Sequence, residues 1–257
     1  MSLLNIILLS LVQGVSEFLP ISSSAHLLLA SYFFGIEEPS LSLIVALHGG
    51  SLVAICVYLW KDIWGLTKGF FGVFKGEVTL EFYSALILII ATIPAVVIGF
   101  YVNKMDLSFL KTPLVIGILG IVFGILLGVA DLKKITLQEM RHMTIKRGFL
   151  IGLGQALALI PGVSRSGMTL TVARFLGLSR VLAAKFSFLM AIPVILGAVV
   201  LKSQDTQWTT DILLGGVASF IFSLICLHFM FKFLERNSLL PIVIYRIVLG
   251  ILLITLL

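Results

Sequence analysis

The chain has 257 residues, of which 60% are hydrophobic and 12% are charged, with a mean hydropathy of +1.18 and a formal net charge of +6. Soluble domains carry about 25% charged residues, so this composition excludes a soluble protein and predicts an all-α polytopic membrane protein. Apolar runs recur along the whole sequence, which predicts one integral membrane domain over residues 1–257. The basic residues lie in short loops, so we expect them to reflect membrane topology and not nucleic-acid binding.

The N-terminus and the cysteines carry no processing or disulfide signal. Met1–Ser10 has no basic region ahead of its apolar stretch and no small-residue cleavage site after it, so we expect it to belong to the mature protein. Cys56 and Cys226 lie inside apolar segments without metal-binding or disulfide spacing. They are therefore predicted to be small buried residues.

The first apolar stretch, residues 3–34, is interrupted near its middle by a proline and a serine cluster. Pro20 disfavours helix in the residue before it, and the serines that follow suit the first position of a new helix. Each half is too short to cross a bilayer, which takes about 20 helical residues. We therefore predict a re-entrant helical hairpin that enters and leaves the membrane on one side.

Three uninterrupted apolar segments follow this hairpin, and the whole pattern then occurs a second time. The first three predicted transmembrane helices cover residues 41–60, 83–102 and 114–130. A second interrupted stretch, residues 145–176, is predicted to be another hairpin because Pro161 and a serine cluster lie at its centre. The last three predicted transmembrane helices cover residues 183–201, 212–231 and 239–257.

This order predicts an internal repeat, with one copy at about residues 1–131 and the other at about residues 145–257. Because each copy has three spans, the second copy must be inverted, and the two hairpins can meet near the midplane. The loops on the N-terminal side contain three basic residues, Lys104, Lys111 and Lys202, while those on the other side contain thirteen. The positive-inside rule therefore predicts that both termini lie outside the cytoplasm.

The first interruption carries polar side chains that are costly in lipid and therefore predict a functional site. They are Gln13, Glu17, Ser22, Ser23, Ser24 and His26. Gln13 and Glu17 are four residues apart, so we expect them to share one face of a helix. If Ser22 begins the returning helix, its hydroxyl and the His26 imidazole face the same way.

The second interruption carries Ser164, Arg165, Ser166 and, one turn later, Thr169. Each interruption offers free N–H groups at the N-terminus of a half-helix, an arrangement that suits an anion such as phosphate. The Arg165 guanidinium adds a fork of donors that fits phosphate oxygens. The two interruptions together predict phosphoryl-transfer chemistry on an amphipathic anion, although the sequence has no Walker loop, thiol-phosphatase loop or metal-binding cluster.

Two longer motifs make a resemblance specific. Gln13-Gly-Val-Ser-Glu-Phe-Leu-Pro-Ile-Ser-Ser-Ser-Ala-His26 and Pro161-Gly-Val-Ser-Arg-Ser-Gly-Met-Thr169 closely resemble the two signatures of the undecaprenyl-diphosphatase family, the bacitracin-resistance membrane phosphatases. The resemblance extends to residues 185–193 and 241–246, and so covers essentially the whole chain. Such enzymes remove the terminal phosphate of undecaprenyl diphosphate and regenerate the monophosphate carrier for cell-wall synthesis.

The resemblance also implies roles for individual residues. Arg165 would grip the diphosphate, and Glu17 would be a base or a ligand of a divalent cation, Mg²⁺ or Ca²⁺. Either Ser23 or His26 would be the nucleophile, and the sequence does not choose between them. The implied substrate-binding residues are Gln13, Ser22, Ser24, Ser164, Ser166 and Thr169. The family's pattern has Glu or Gln at this position, and this chain has Gln13, so it lacks one carboxylate relative to members with two.

Other interpretations remain open at this stage. Glu17 and Arg165 are also suited to a purely structural ion pair, and the serines to helix capping. His48, beside two glycines, is expected to have a structural or supporting role, and Arg246 to mark a membrane interface. The alternative function is a transporter or polyprenyl-phosphate flippase, because inverted repeats with broken helices are a transporter design.

The expected location follows from the topology and the resemblance together. We expect a multi-pass protein of the cell membrane whose active site faces the outer side. Its expected partners are the membrane, a polyprenyl diphosphate lipid and, in a homodimer, a second copy of the chain.

Overall fold

The structure, a computed structural model, describes residues 1–102, 104–105, 108–204 and 206–256. These residues form eleven α-helices and three short 3-10 helices, and no β-strand occurs among them. The α-helices are α1 Leu3–Ser16, α2 Ser23–Phe34, α3 Leu41–Tyr58, α4 Trp60–Gly72, α5 Leu80–Val102, α6 Pro113–Asp131, α7 Ile145–Leu157, α8 Arg165–Phe175, α9 Arg180–Ser203, α10 Thr210–Arg236 and α11 Leu240–Leu256. The 3-10 helices are Val73–Lys75, Ser108–Lys111 and Met140–His142.

Five of these helices are long and apolar enough to cross a membrane: α3, α5, α6, α9 and α10. They coincide with five of the six predicted transmembrane segments. The sixth predicted segment, residues 239–257, falls on α11, a shorter apolar helix of 17 residues. The prediction of an all-helical polytopic membrane protein is therefore confirmed.

The amphipathic helix α4 was not anticipated from the sequence. Its charged residues interrupt the apolar pattern, so the sequence predicts no long apolar segment there. Lys185 on α9 donates from Nζ to Asp62 Oδ1 on α4 at 2.9 Å, and Gly69 lies directly against Glu81 at the start of α5. These contacts hold α4 across one end of the α5–α9 pair.

The helices are interrupted at the two predicted places, and both interruptions have a similar backbone conformation. These interruptions are called breaks below. One break separates α1 from α2, and the other separates α7 from α8. Ser22 and Ser164, the residues that precede α2 and α8, have φ values of 75° and 73°, and they are the two non-glycine residues of the described segments with positive φ. Such a conformation is strained for a residue with a Cβ, so the surrounding contacts must hold both breaks in place.

Small residues bring the helices of the bundle close together. α3 packs along α10, where a Cβ on Gly50 would lie 2.1 Å from the carbonyl oxygen of Gly216. α7 packs along α5 in the same way, because a Cβ on Gly152 would lie 2.1 Å from the Ala91 carbonyl oxygen. Neither glycine can be replaced without moving a backbone, so these are direct backbone approaches of the kind that small residues permit in membranes.

A buried ion network fixes the end of α6 against the turn between α8 and α9. Asp131 Oδ1 accepts from Arg180 Nε at 2.7 Å and from Arg174 Nε at 3.2 Å. Asp131 Oδ2 accepts from Arg180 Nη2 and from the Leu239 amide, both at 2.9 Å. Because Arg174 lies on α8, this network holds the helix whose first residue is Arg165.

Candidate active site

A cavity of about 330 Å³ lies where the two helix breaks meet. Its walls include Glu17 and residues 22–24 from the first break, and residues 158–162 and 164–166 from the second. α3 contributes His48, and the second half of α9 contributes Val194, Ile195 and Ala198. The structure therefore brings the two polar strings of the sequence together around one space.

Glu17 is the centre of the polar contacts in this cavity. It follows the last residue of α1 and is 7% exposed. Its Oε1 accepts from Arg165 Nη2 at 2.7 Å, while its Oε2 accepts from Ser23 Oγ at 2.8 Å and from Gln13 Nε2 at 3.0 Å. The contact with Gln13 follows from their spacing of four residues, whereas Arg165 arrives from the other break.

The two terminal nitrogens of the Arg165 guanidinium differ in their hydrogen bonds. It is the first residue of α8 and lines the cavity. Its Nη2 is bound to Glu17, but its Nη1 is buried and has no hydrogen-bond partner in the described part of the chain. A buried donor without a partner is destabilising by about 1–3 kcal/mol, so this nitrogen is poised to bind an anion.

The serines line the cavity in two matching pairs. Ser22 Oγ lies 3.3 Å from Ser24 Oγ in the first break, and Ser164 Oγ lies 3.4 Å from Ser166 Oγ in the second. Ser164 Oγ also accepts from the Gly167 amide at 3.2 Å and so caps α8. These four hydroxyls lie at the starts of α2 and α8, where the first helical N–H groups are unpaired.

Two predicted binding residues lie behind the cavity wall. Thr169 is fully buried, and its Oγ1 donates to the Arg165 carbonyl oxygen at 2.9 Å and lies 2.6 Å from Ser187 Oγ on α9. Gln13 is also fully buried; it reaches the site through Glu17, and its Oε1 has no partner among the described residues. Neither residue is part of the cavity wall, so each supports a residue that is.

The two histidines of this region occupy different positions. His26 does not line the cavity: its Nδ1 lies 2.8 Å from the Ser22 carbonyl oxygen, and its Nε2 lies 2.6 Å from the Tyr245 hydroxyl. His48 does line the cavity, with Nδ1 2.9 Å from the Ile44 carbonyl oxygen and Nε2 3.8 Å from Glu17 Oε2. The supporting role expected for His48 is compatible with this position, and its closeness to Glu17 could not be read from the sequence.

Arg246 corrects an expectation, since its side chain is buried inside the bundle and does not extend outward as an interface anchor would. It is 3% exposed, and it donates from Nη1 to the Pro20 carbonyl oxygen at 3.0 Å. Its Nη2 donates to the Val163 carbonyl oxygen at 3.0 Å and to that of Gly162 at 3.3 Å, and its Nε donates to Gly120 on α6. Arg246 therefore ties the two breaks to each other because an arginine can saturate the carbonyl groups that broken helices leave unpaired.

The protein ligands available to a metal ion here are few. No group of three or more histidine, cysteine, aspartate or glutamate residues that could hold a metal occurs within the described ranges. Glu17 is the carboxylate of the cavity wall, and the unpartnered Gln13 Oε1 is buried behind it. A single carboxylate suits a hard cation that keeps water and phosphate oxygens as its other ligands.

Comparison with known proteins agrees with the motifs. The family model described as bacitracin resistance protein BacA matches residues 6–252, a range that contains both breaks and Arg246. An undecaprenyl-diphosphatase from Saccharophagus degradans is 41% identical over 256 residues, which cover 97% of this chain and 96% of that protein. The family expected from the two motifs is therefore confirmed, and the chain belongs to the bacitracin resistance protein BacA family.

Proposed function

We propose that this protein is a membrane phosphatase that hydrolyses undecaprenyl diphosphate to undecaprenyl phosphate and inorganic phosphate, and so recycles the lipid carrier of cell-wall synthesis. The observation that carries the proposal is the arrangement of Arg165, Glu17 and Ser23 around one cavity. It combines an anion-binding group, a proton acceptor and a hydroxyl nucleophile, which phosphoryl transfer requires. The name of the 41% identical relative gives the substrate.

Ser23 is the proposed nucleophile. Its hydroxyl lines the cavity and already donates to Glu17 Oε2 at 2.8 Å, so the carboxylate can accept the proton as the oxygen attacks. The Ser23 oxygen bonds to the terminal phosphorus, and the bond from that phosphorus to the bridging oxygen breaks. Undecaprenyl phosphate then leaves, and the terminal phosphate remains on Ser23.

A water molecule completes the reaction. It attacks the phosphoserine, the bond to the Ser23 oxygen breaks, and inorganic phosphate leaves while Ser23 regains a proton. Glu17 is within reach of Ser23 and is therefore the proposed base for this step too.

Arg165 and the serines are proposed to bind the diphosphate. The buried Arg165 Nη1 has no partner among the described residues, and a phosphate oxygen would satisfy it. Ser22, Ser24 and Ser164 add hydroxyl groups beside the N-termini of α2 and α8, and Ser166 also lines the cavity while its hydroxyl donates to the Leu19 carbonyl oxygen at 3.1 Å. Two helix N-termini that face one space favour a doubly phosphorylated headgroup over a neutral one.

A divalent cation, Mg²⁺ or Ca²⁺, is a proposed cofactor. Glu17 would hold the ion together with water and substrate oxygens, with Gln13 supporting the carboxylate from behind the cavity wall. The cation would supply charge neutralisation for the diphosphate.

The proposed arrangement in the membrane is six transmembrane helices and two re-entrant hairpins in one domain over residues 1–257, with inverted repeats at about 1–131 and 145–257. The equal backbone conformations of Ser22 and Ser164 support it. Reciprocal packing is further support, because α1 packs on α10 while α7 packs on α5, the corresponding helix of the other repeat. The charge bias supports the proposed location of both termini outside the cytoplasm, and together with the family resemblance it supports a site that faces the outer side.

The deciding experiment measures phosphate release from undecaprenyl diphosphate by the purified protein in detergent with Mg²⁺ or Ca²⁺. Arg165→Ala is expected to reduce release by roughly 10³-fold, since it removes the charge that binds the diphosphate. Arg141→Ala is the matched control, because Arg141 is an exposed residue of the Met140–His142 3-10 helix and is paired with Glu139. No release from the wild-type protein with either ion, despite lipid binding, would favour the transporter alternative.

A further inference from the structure

A second opening in the protein is apolar and lies between α5 and α9. It is a groove of about 340 Å³, with Leu88, Thr92, Ile93 and Val96 of α5 on one side and Leu189 and Pro193 of α9 on the other. Its hydroxyl group, on Thr92, is occupied because it donates to the Leu88 carbonyl oxygen at 2.8 Å. The groove is therefore suited to a hydrocarbon and not to a headgroup.

Neighbouring residues of α9 line the groove and the polar cavity, and α5 approaches the cavity wall next to the groove. On α9, Pro193 belongs to the groove and the next two residues, Val194 and Ile195, belong to the cavity wall. On α5, Val96 belongs to the groove, and Gly99 one turn later approaches Leu159 of the cavity wall. One elongated molecule can therefore occupy both spaces, with its polar end in the cavity.

We infer that this groove, which we call the α5–α9 groove, binds the prenyl chain of the lipid diphosphate next to its headgroup; the inference rests on the proposed function. Tethering the headgroup in the cavity raises the local concentration of its own chain at the groove far above that of free bilayer lipids. This chain, and not a bulk acyl chain, is then the favoured occupant.

The direction of the groove fits a lipid anchored in one leaflet. Ile195 and Leu189 are six residues apart on α9, which corresponds to about 9 Å along a helix axis. Leu189 and Pro193 flank the middle of Arg180–Ser203, whereas the cavity residues lie nearer its C-terminal end. A chain that leaves the cavity along the groove therefore runs toward the middle of the membrane, as a lipid tail must.

The corresponding pair in the other repeat, α3 and α10, leaves no room for a chain. Gly50 and Gly216 bring those two backbones into direct approach, and Ser219 Oγ donates to the Leu47 carbonyl oxygen at 2.8 Å. On the α5–α9 side, the bulkier Leu189 and Pro193 face the gap. The proposed inverted repeat thus has one closed pair and one open pair, and the open pair offers the substrate a lateral route.

The test compares a long and a short substrate in a variant with a filled groove. Val96→Trp places a large ring in the groove, while Val217→Trp on the lipid-facing side of α10 is the matched control, since the two valines are 55% and 57% exposed. We expect Val96→Trp to lower kcat/KM for undecaprenyl diphosphate by about tenfold or more. Its kcat/KM for dimethylallyl diphosphate, whose five-carbon chain barely leaves the cavity, should stay within about twofold of wild type.

An equal loss on both substrates, or no loss on the long one, overturns the inference. A second readout uses the wild-type protein and does not depend on turnover: a polyprenyl diphosphate with a photoreactive group on its second isoprene unit is cross-linked, and the peptides are identified by mass spectrometry. Cross-links to residues 88–97 and 189–193 support the groove, and cross-links confined to other helices contradict it. If the wild-type protein releases no phosphate from either substrate, the proposed function fails while the cross-links still decide the groove.

Discussion

At the scale of single residues, the contacts of Ser23 and His26 distinguish the two nucleophiles that the motif allows. The Ser23 hydroxyl has the Glu17 carboxylate as an acceptor and faces the cavity. Both ring nitrogens of His26 lie close to other polar atoms, one near the Ser22 carbonyl oxygen and one near the Tyr245 hydroxyl. These contacts support our proposal that His26 orients the start of α2, which carries Ser23.

Replacing these residues one at a time tests this assignment. Ser23→Ala should lower kcat for undecaprenyl diphosphate by roughly 10³-fold or more, because it removes the proposed attacking oxygen and leaves the Arg165 site intact. His26→Ala should lower kcat by only about tenfold, since it loosens the helix start without removing the nucleophile. Both rates are measured as phosphate release in detergent.

A phosphoenzyme trap provides the control for that comparison. Acid quenching of wild-type enzyme with substrate labelled in the terminal phosphate should leave the label on Ser23. Label on His26, or a larger rate loss in His26→Ala than in Ser23→Ala, would contradict the assignment and return the histidine to the role of nucleophile.

At the scale of helices, the contact between the two breaks depends on a residue from α11, the last helix of the chain. The polar strings predict that two breaks meet, but they carry no information on what holds them together. Arg246 does so from α11 by donating to carbonyl oxygens of Pro20, Gly162 and Val163. These partners lie 226, 84 and 83 residues away, a separation that no local pattern can reveal.

Arg246→Lys tests this linkage while it keeps the positive charge. A lysine cannot reproduce the guanidinium fork, so carbonyl groups of at least one break should lose their donor. We expect a loss of stability of about 2–3 kcal/mol, seen as a lower Tm, together with at least a tenfold fall in kcat, because the breaks position Glu17 against Arg165.

Arg236→Lys on the exposed end of α10 is the matched control, and neither its Tm nor its kcat should change appreciably. A lower Tm in Arg246→Lys with unchanged kcat and KM would show that Arg246 stabilises the bundle without positioning the site.

At the scale of the whole molecule, what the sequence revealed depended on the range of each interaction. The spacing of four residues between Gln13 and Glu17 correctly predicts their contact. The prolines and the serines that follow them correctly predict both breaks, because these are local effects. The amphipathic helix α4 was not predicted, because its charged residues leave no long apolar run in that part of the sequence. An ion pair of Glu17 and Arg165 was one interpretation of the sequence. The two residues are 148 positions apart, so the folded structure was needed to show that they are in contact.

The orientation in the membrane gives the last prediction, which also tests the hairpins. The positive-inside rule predicts that the region around Lys75 is cytoplasmic and that the Lys202 end of α9 lies outside. If α1 and α2 form a re-entrant hairpin, Ser2 and Glu38 must both lie outside, whereas a full span would put them on opposite sides. Single cysteines at these four exposed positions, in a chain with Cys56 and Cys226 replaced by alanine, can be labelled with an impermeant maleimide in spheroplasts.

We expect labelling of Ser2→Cys, Glu38→Cys and Lys202→Cys in intact spheroplasts, and of Lys75→Cys only after lysis. Labelling of all four after lysis is the control for accessibility. If Ser2→Cys and Glu38→Cys differ in intact spheroplasts, the first hairpin crosses the membrane, and the proposed inverted repeat fails. If only Lys75→Cys is labelled, the hairpins can stand but the orientation is reversed, which would put the site toward the cytoplasm.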